Sequence, residues 1–281
     1  HAIATENSRK VLGALEIDLV THVVDRKEAE DIYRSFFMAD VIDFEVLLDI
    51  GIPQLLYSTA KKYGIKYQLE GHSFVAESIS PLNAMYADGM YLKSVHKKYG
   101  KLKLKTFPNM SLFDFIKWTA FYRIEKIRPL WYLKYSKEDA RELLSEKFGW
   151  KYYGGHHLEN RTAAFQHSVL GPQKFNIDTR ANSLAASVRN NKISRESALK
   201  ELAETPHIEN DLIDYITRRL SITAEEYNKI MSQEPKNWQQ YKTYKKTFET
   251  LRPLFYFLLK KELIPESFYI KYCFPFEEKA K

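Results

Sequence analysis

The hydrophobic period changes along this chain, and that change most limits what it can fold into. Over the first third, short β-rich runs alternate with helical stripes; after residue 80 the pattern changes, with 91–99 and 111–122 reading as helices, and from residue 160 onward almost every segment is helical. Strands alternating with helices imply a parallel sheet covered on both faces. Residues 6–16 read as a helix, with Val11, Leu12 and Leu15 on one face. Residues 18–24, carrying Leu19, Val20, Val23 and Val24, read as a buried parallel strand. A helix over 27–38 follows, with Ile32, Phe36 and Phe37 as its stripe. Another spans 50–63 and stops at Gly64, and 65–69 is the next strand. The expected fold class is α/β: a domain over 1–135 with a parallel sheet, then a mainly helical region over 136–281.

Start signals mark the later helices. Ser111 with Asp114, Ser136 with Asp139 and Thr223 with Glu226 each have the spacing of a capping box. Prolines 206, 235, 253 and 265 punctuate the rest. The apolar stretch 251–259 is too short to cross a bilayer, which takes roughly 20 apolar residues, and reads as a buried helix. Trp238, Tyr241, Tyr244 and Phe248 recur at near-helical spacing, as either core or a partner-facing surface.

Composition narrows the function classes. Cys273 is the only cysteine, so neither an internal disulfide nor a cysteine zinc cluster is possible, and a reducing, cytoplasmic setting is expected. The net charge of +7 suits anionic ligands such as nucleotides without demanding nucleic acid, which is not expected. The start at His1-Ala2-Ile3, without methionine or signal peptide, is expected of a fragment or processed chain.

The stretch richest in chemistry runs from Tyr67 to Glu77. A strand ends near Leu69 or Glu70, and Gly71-His72-Ser73 follow, then Glu77. Ligands of open α/β sheets bind outside the carboxyl ends of the strands. Gly71 allows close backbone approach, His72 and Ser73 can donate to phosphate or ribose oxygens, and Glu77 can hold magnesium or orient a donor. A plain turn with a capping serine and a surface glutamate has the same spacing.

This strand, Gly-His and acid pattern resembles the second signature of PP-loop ATP pyrophosphatases. Further pieces follow in order: Ser80-Pro81-Leu82-Asn83, the 91–100 segment, Leu104-Lys105-Thr106-Phe107-Pro108, Ile127-Arg128-Pro129-Leu130, the 149–159 run, 174–180 and 194–199. Together they resemble the N-acetyl sugar amidotransferases of O-antigen and pseudaminic or legionaminic acid pathways. The resemblance implies a partial Rossmann-like sheet of the adenine nucleotide alpha hydrolase kind. It implies ATP and Mg2+ as cofactors, and conversion of a sugar acetamido group to acetamidino with ammonia. The implied substrate is a nucleotide-linked N-acetyl sugar. Implied partners are a glutaminase subunit and a cyclase-like ammonia-delivering subunit.

Such chemistry needs cations for departing pyrophosphate and exclusion of water. Under the resemblance, Lys174 and Arg180 are the candidate cations. Asp178 is either a magnesium ligand or a helix N-cap. Gly154, Gly155, His157, Glu159 and Arg161 are the candidate sugar contacts, with a plain turn as the alternative. His156, His157 and Glu159 do not have the spacing of a helical zinc pair, so no metal site is assigned. The chain departs from the family in having no Ser-Gly-Gly-x-Asp-Ser run. It is expected to begin after the second strand of such a sheet. A Cys-x-x-Cys of some relatives would fall near Glu45 and Leu48, so zinc is not expected there. A tRNA-modifying PP-loop enzyme and a non-catalytic interaction subunit are the competing readings.

Overall fold

A computed structural model describes residues 2–73, 85–134, 136–153 and 160–275. In chain order its principal elements are α1 (Ala2–Ala14), α2 (Arg26–Ala39), α3 (Val46–Lys62), β1 (Tyr67–Leu69), α4 (Gly89–Tyr99), α5 (Leu112–Ile116) and β2 (Glu125–Ile127). Then come α6 (Lys137–Phe148), α7 (Arg161–Phe165), α8 (Arg180–Arg189), α9 (Arg195–Ala203), α10 (Leu212–Arg219) and α11 (Ala224–Ser232). The last three are α12 (Lys245–Thr250), α13 (Arg252–Lys260) and α14 (Glu266–Cys273). The chain is mostly helical, with a small parallel sheet. It forms two compact units, each discontinuous in sequence. A sheet-bearing unit comprises Val24–Glu70, Pro81–Ile127 and Lys236–Lys281; a helical unit comprises His1–Val23, Gly71–Ser80 and Arg128–Pro235.

In the sheet-bearing unit, the Asp25 carboxylate accepts the Glu28 amide at 2.9 Å and starts α2. The stripe Ile32, Phe36 and Phe37 is buried as expected, but burial continues around the helix to Glu28, Asp31 and Arg34. Buried carboxylates need donors. Glu28 takes the amides of Lys105, Thr106 and Phe107, and Asp31 takes His96 Nε2 at 2.8 Å and the amides of Lys101 and Leu102. These bonds fasten the 101–107 loop along α2, which also packs against Tyr91, Leu92 and Val95 of α4.

Helix α3 ends as its sequence signals. Gly64 is left-handed at φ 69°, its amide bonds to Lys61 O at 3.3 Å, and the Ile65 amide bonds to Ala60 O at 2.8 Å. The next strand is Tyr67–Leu69, paired parallel with Glu125–Ile127 in the register Tyr67–Glu125, Gln68–Lys126, Leu69–Ile127. Nothing in the sequence marked the second strand.

The strand expected over 18–24 does not form. That segment is irregular and exposed, with Val23 84% exposed. Apolar β-rich residues give only a tendency; a ladder partner makes a strand. Among the described residues the ladder contains β1 and β2 alone.

The C-terminal helices gather Phe248, Phe255, Leu258, Ile264 and Cys273 into a core. The buried helix expected over 251–259 is only half buried: Phe255 and Leu258 turn inward while Tyr256 and Phe257 stay exposed. Trp238 and Phe248 are core. Trp238 stacks on Tyr86 with centroids 4.2 Å apart, and the Tyr241 hydroxyl donates to Ala39 O at 2.9 Å. These aromatics lie on a 3-10 turn, a connecting loop and α12 rather than on one helix.

In the helical unit, Asn7 of α1 brackets the backbone of Lys151, donating to its carbonyl at 2.7 Å and accepting its amide at 2.9 Å. Helix α7 widens into a π-helix over Gln166–Lys174, burying Phe165, Val169 and Leu170. Of the three capping-box signals, Ser111–Asp114 and Thr223–Glu226 form both reciprocal bonds. Ser136 accepts the Asp139 amide, but its hydroxyl turns to Glu138 instead.

Candidate functional site

Because β1 and β2 are parallel, their carboxyl ends lie at one edge of the sheet. The chain leaves them as Gly71-His72-Ser73 and as Arg128-Pro129-Leu130-Trp131. At the strand ends Lys126 Nζ and Glu70 Oε1 form an ion pair of 2.6 Å. The His72 and Trp131 rings meet edge to face at 6.4 Å, and the Arg128 guanidinium sits 5.0 Å from the Trp131 ring centre. Ser73 is buried. A Cβ added at Gly71 would meet no atom within 4 Å, and its φ is not left-handed. Protein packing and backbone conformation therefore leave position 71 open to other residues, and it has room for a ligand. An imidazole, an indole and a guanidinium thus lie against one another just beyond the strand exits. Trp131 is not among the residues the sequence points to, and Arg128 enters there only within the Ile127-Arg128-Pro129-Leu130 piece of the resemblance.

The other expected residues lie in braced positions. Lys174, at the end of the π-helix, donates to Ile230 O and, at 2.9 Å, to Gln233 O, satisfying the carboxyl end of α11. Arg180 forks onto Asp178, with Nη2 2.6 Å from Oδ2, and also donates to the carbonyls of Glu201, Leu202 and Glu204 at the end of α9. The Asp178 hydrogen bonds raise the Arg180 pKa, against partial desolvation. Asp178 also accepts the Arg180 amide at 2.9 Å, in the manner of a cap. Gly171 is needed where it stands: an added Cβ would meet Ile177 O at 2.9 Å, so this carbonyl can fold back onto the π-helix.

Arg161 forms a two-point ion pair with Asp211, at 2.6 and 3.1 Å, and lies 4.1 Å over the Tyr215 ring. Glu209 adds a contact at 3.2 Å. Side-chain hydrogen bonds from Arg161 lower the Asp211 pKa. Glu77, Gly154, Gly155, His157 and Glu159 lie outside the described residues. No group of three or more His, Cys, Asp or Glu among the described residues is gathered to hold a metal ion.

Residues 159–254 match a protein-family model described as LPS biosynthesis protein WbpG-like, C-terminal domain. The match includes Arg161, Lys174, Asp178, Arg180 and the aromatic run from Trp238 to Phe248, and supports a place for this stretch among lipopolysaccharide-biosynthesis proteins. No curated protein and no solved structure matches the chain.

Proposed function

We propose that this chain serves bacterial surface-polysaccharide biosynthesis as the synthetase part of an ATP-dependent amidotransferase, converting a sugar acetamido group to acetamidino with ammonia. The observation carrying this reading is the pairing, in one chain, of a Gly71-His72-Ser73 strand exit with a C-terminal stretch matching a lipopolysaccharide-biosynthesis family. In this reading β1 and β2 belong to a Rossmann-like sheet, and the nucleotide lies at its carboxyl edge. A glutaminase and a cyclase-like subunit supply the ammonia.

The described residues fit a nucleotide at one end. His72 and Arg128 can donate to phosphate oxygens, and Trp131 offers a face to a base. ATP supplies the activation that an amide oxygen lacks. Mg2+ would be held largely by the ATP phosphates with one or two carboxylates, and Glu77, the expected ligand, lies outside the described residues. Lys174 and Arg180 hold the ends of α11 and α9, so their part in this reading is to shape the 166–180 wall. A pyrophosphate contact by either would require it to leave those carbonyls.

A second reading is a non-catalytic interaction subunit. It is favoured by the same bonds: Arg161, Lys174 and Arg180 all support neighbouring segments.

The test supplies the chain with ATP, Mg2+, ammonia and a nucleotide-linked acetamido sugar. Mass spectrometry then looks for replacement of oxygen by NH, together with AMP and pyrophosphate. His72→Ala is expected to lower kcat/KM about tenfold or more with an unchanged melting temperature. Absence of product, with nucleotide binding also absent, overturns the synthetase reading in favour of the interaction subunit.

A further inference from the structure

In the sheet-bearing unit, α4 and the loop after it enclose an open cavity of about 430 Å3. Its lining combines three lysines, Lys93, Lys97 and Lys103, with the apolar Leu102, Leu104 and Phe107. Lys93 and Lys97 are one helical turn apart on α4, and Lys103 comes from the facing loop.

The basic charge here is concentrated in a short stretch. Residues 93–105 hold six lysines and no acidic residue, in a chain whose net charge is +7. The two nearby carboxylates are already engaged. Glu28 accepts the amides of Lys105, Thr106 and Phe107; Asp31 accepts those of Lys101 and Leu102 and pairs with His96. Among the described residues no carboxylate pairs with the ammonium groups of Lys93, Lys97 or Lys103. Both carboxylates are spent on backbone amides and on His96 rather than on the lysine ammonium groups. Three like charges are held around one concavity, an arrangement that costs free energy until an anion arrives.

We propose that this cavity binds a small phosphate ester. The phosphate lies among Lys93, Lys97 and Lys103, and the body of the ligand lies on Leu102, Leu104 and Phe107. Cavity size and mixed lining suit a small molecule. A nucleic acid strand would instead follow an extended basic track with stacking platforms. None of the cavity's residues belongs to the Gly71–Ser73 strand exit.

The test is isothermal titration of the whole chain at low salt with pyrophosphate, with uridine diphosphate and with an oligouridylate. Both small ligands are expected to bind, uridine diphosphate more tightly because it also covers the apolar side. The double variant Lys97→Ala/Lys103→Ala is expected to weaken both about tenfold or more. Leu104→Ser should remove only the extra affinity of uridine diphosphate. Lys246→Ala, an exposed lysine on α12, should change nothing, and the binding lost in the double variant should persist in His72→Ala. All three lysines are exposed, so the variants should melt like the parent. No binding of either small ligand overturns the proposal, as does equal weakening by Lys246→Ala. Oligouridylate binding far more tightly than uridine diphosphate would replace it with a nucleic-acid surface.

Discussion

At Asp43 burial and ionisation conflict. Its carboxylate is buried, with Oδ1 accepting the Tyr86 amide at 2.7 Å and Oδ2 accepting the Tyr91 hydroxyl at 2.9 Å. Desolvation dominates those two bonds and the nearby Lys271 charge, lifting its pKa from the ordinary 3.8 to about 7. An acid whose folded pKa is raised contributes stability that is complete below the unfolded value and is lost as pH rises through the folded value. Stability is therefore expected to fall as pH rises from 3.8 to about 7 and to level off above that. Asp88 is shifted in the same direction by burial, so Asp43→Asn should reduce this slope rather than abolish it. Thermal melts across that range check the point; an unchanged slope in Asp43→Asn would remove Asp43 as the cause. Glu28 works in the opposite sense. Its burial penalty is outweighed by the amides of Lys105, Thr106 and Phe107, which lower its pKa. Its contribution is present above the ordinary 4.5 and lost as pH falls through the folded value. None of these carboxylates stood out in the sequence. What singles them out is donors 43, 48 and 77 to 79 positions away along the chain.

At the scale of elements, local chemistry was legible and long-range pairing was not. Ser111, Thr223 and Gly64 act within four residues of themselves, so the sequence carries their whole signal. The 18–24 run had the residues of a strand and lacks the neighbour, whereas Glu125–Ile127 had polar residues and gained one in Tyr67–Leu69. The candidate site divides the same way. Gly71 and His72 were visible as a strand exit, but Trp131 beside His72 depends on that second strand. Lys174 and Arg180 stood out for their charge, but their carbonyl partners lie 21 to 59 residues further on. Two glycine substitutions separate these levels. Gly64 sits at φ 69°, so Gly64→Ala should cost about 1 kcal/mol and lower the melting temperature by about 2–4 °C. Gly71 has neither a left-handed φ nor a neighbour for an added Cβ. Gly71→Ala should therefore melt like the parent and lose affinity only if a nucleotide approaches its backbone. Equal melting temperatures for Gly64→Ala and the parent would show that the left-handed turn does not anchor α3.

For the whole molecule, the sequence did not show which stretches share a core. Leu112 and Phe115 pack on the cluster of Phe248 and Phe255, far along the chain, because both sets needed the same apolar partner surface. The sheet is one place where this burial is incomplete. Tyr67, Leu69 and Ile127 share one face of the β1–β2 pair and are 58, 74 and 40% exposed. Purely parallel sheets are normally covered on both faces, and an apolar face with open edges is a template for association. Adding charge there should suppress association without disturbing the fold, because a side chain already in water gives up little burial when replaced. Leu69→Lys is therefore expected to keep the parent's stability within about 0.5 kcal/mol and to raise the concentration at which light scattering detects aggregation. Phe255→Lys, at a side chain 0% exposed, is the contrasting case and should unfold the C-terminal core. If Leu69→Lys destabilises the chain as strongly as that core substitution, the sheet face is covered in solution and its apolar residues belong to the packed interior.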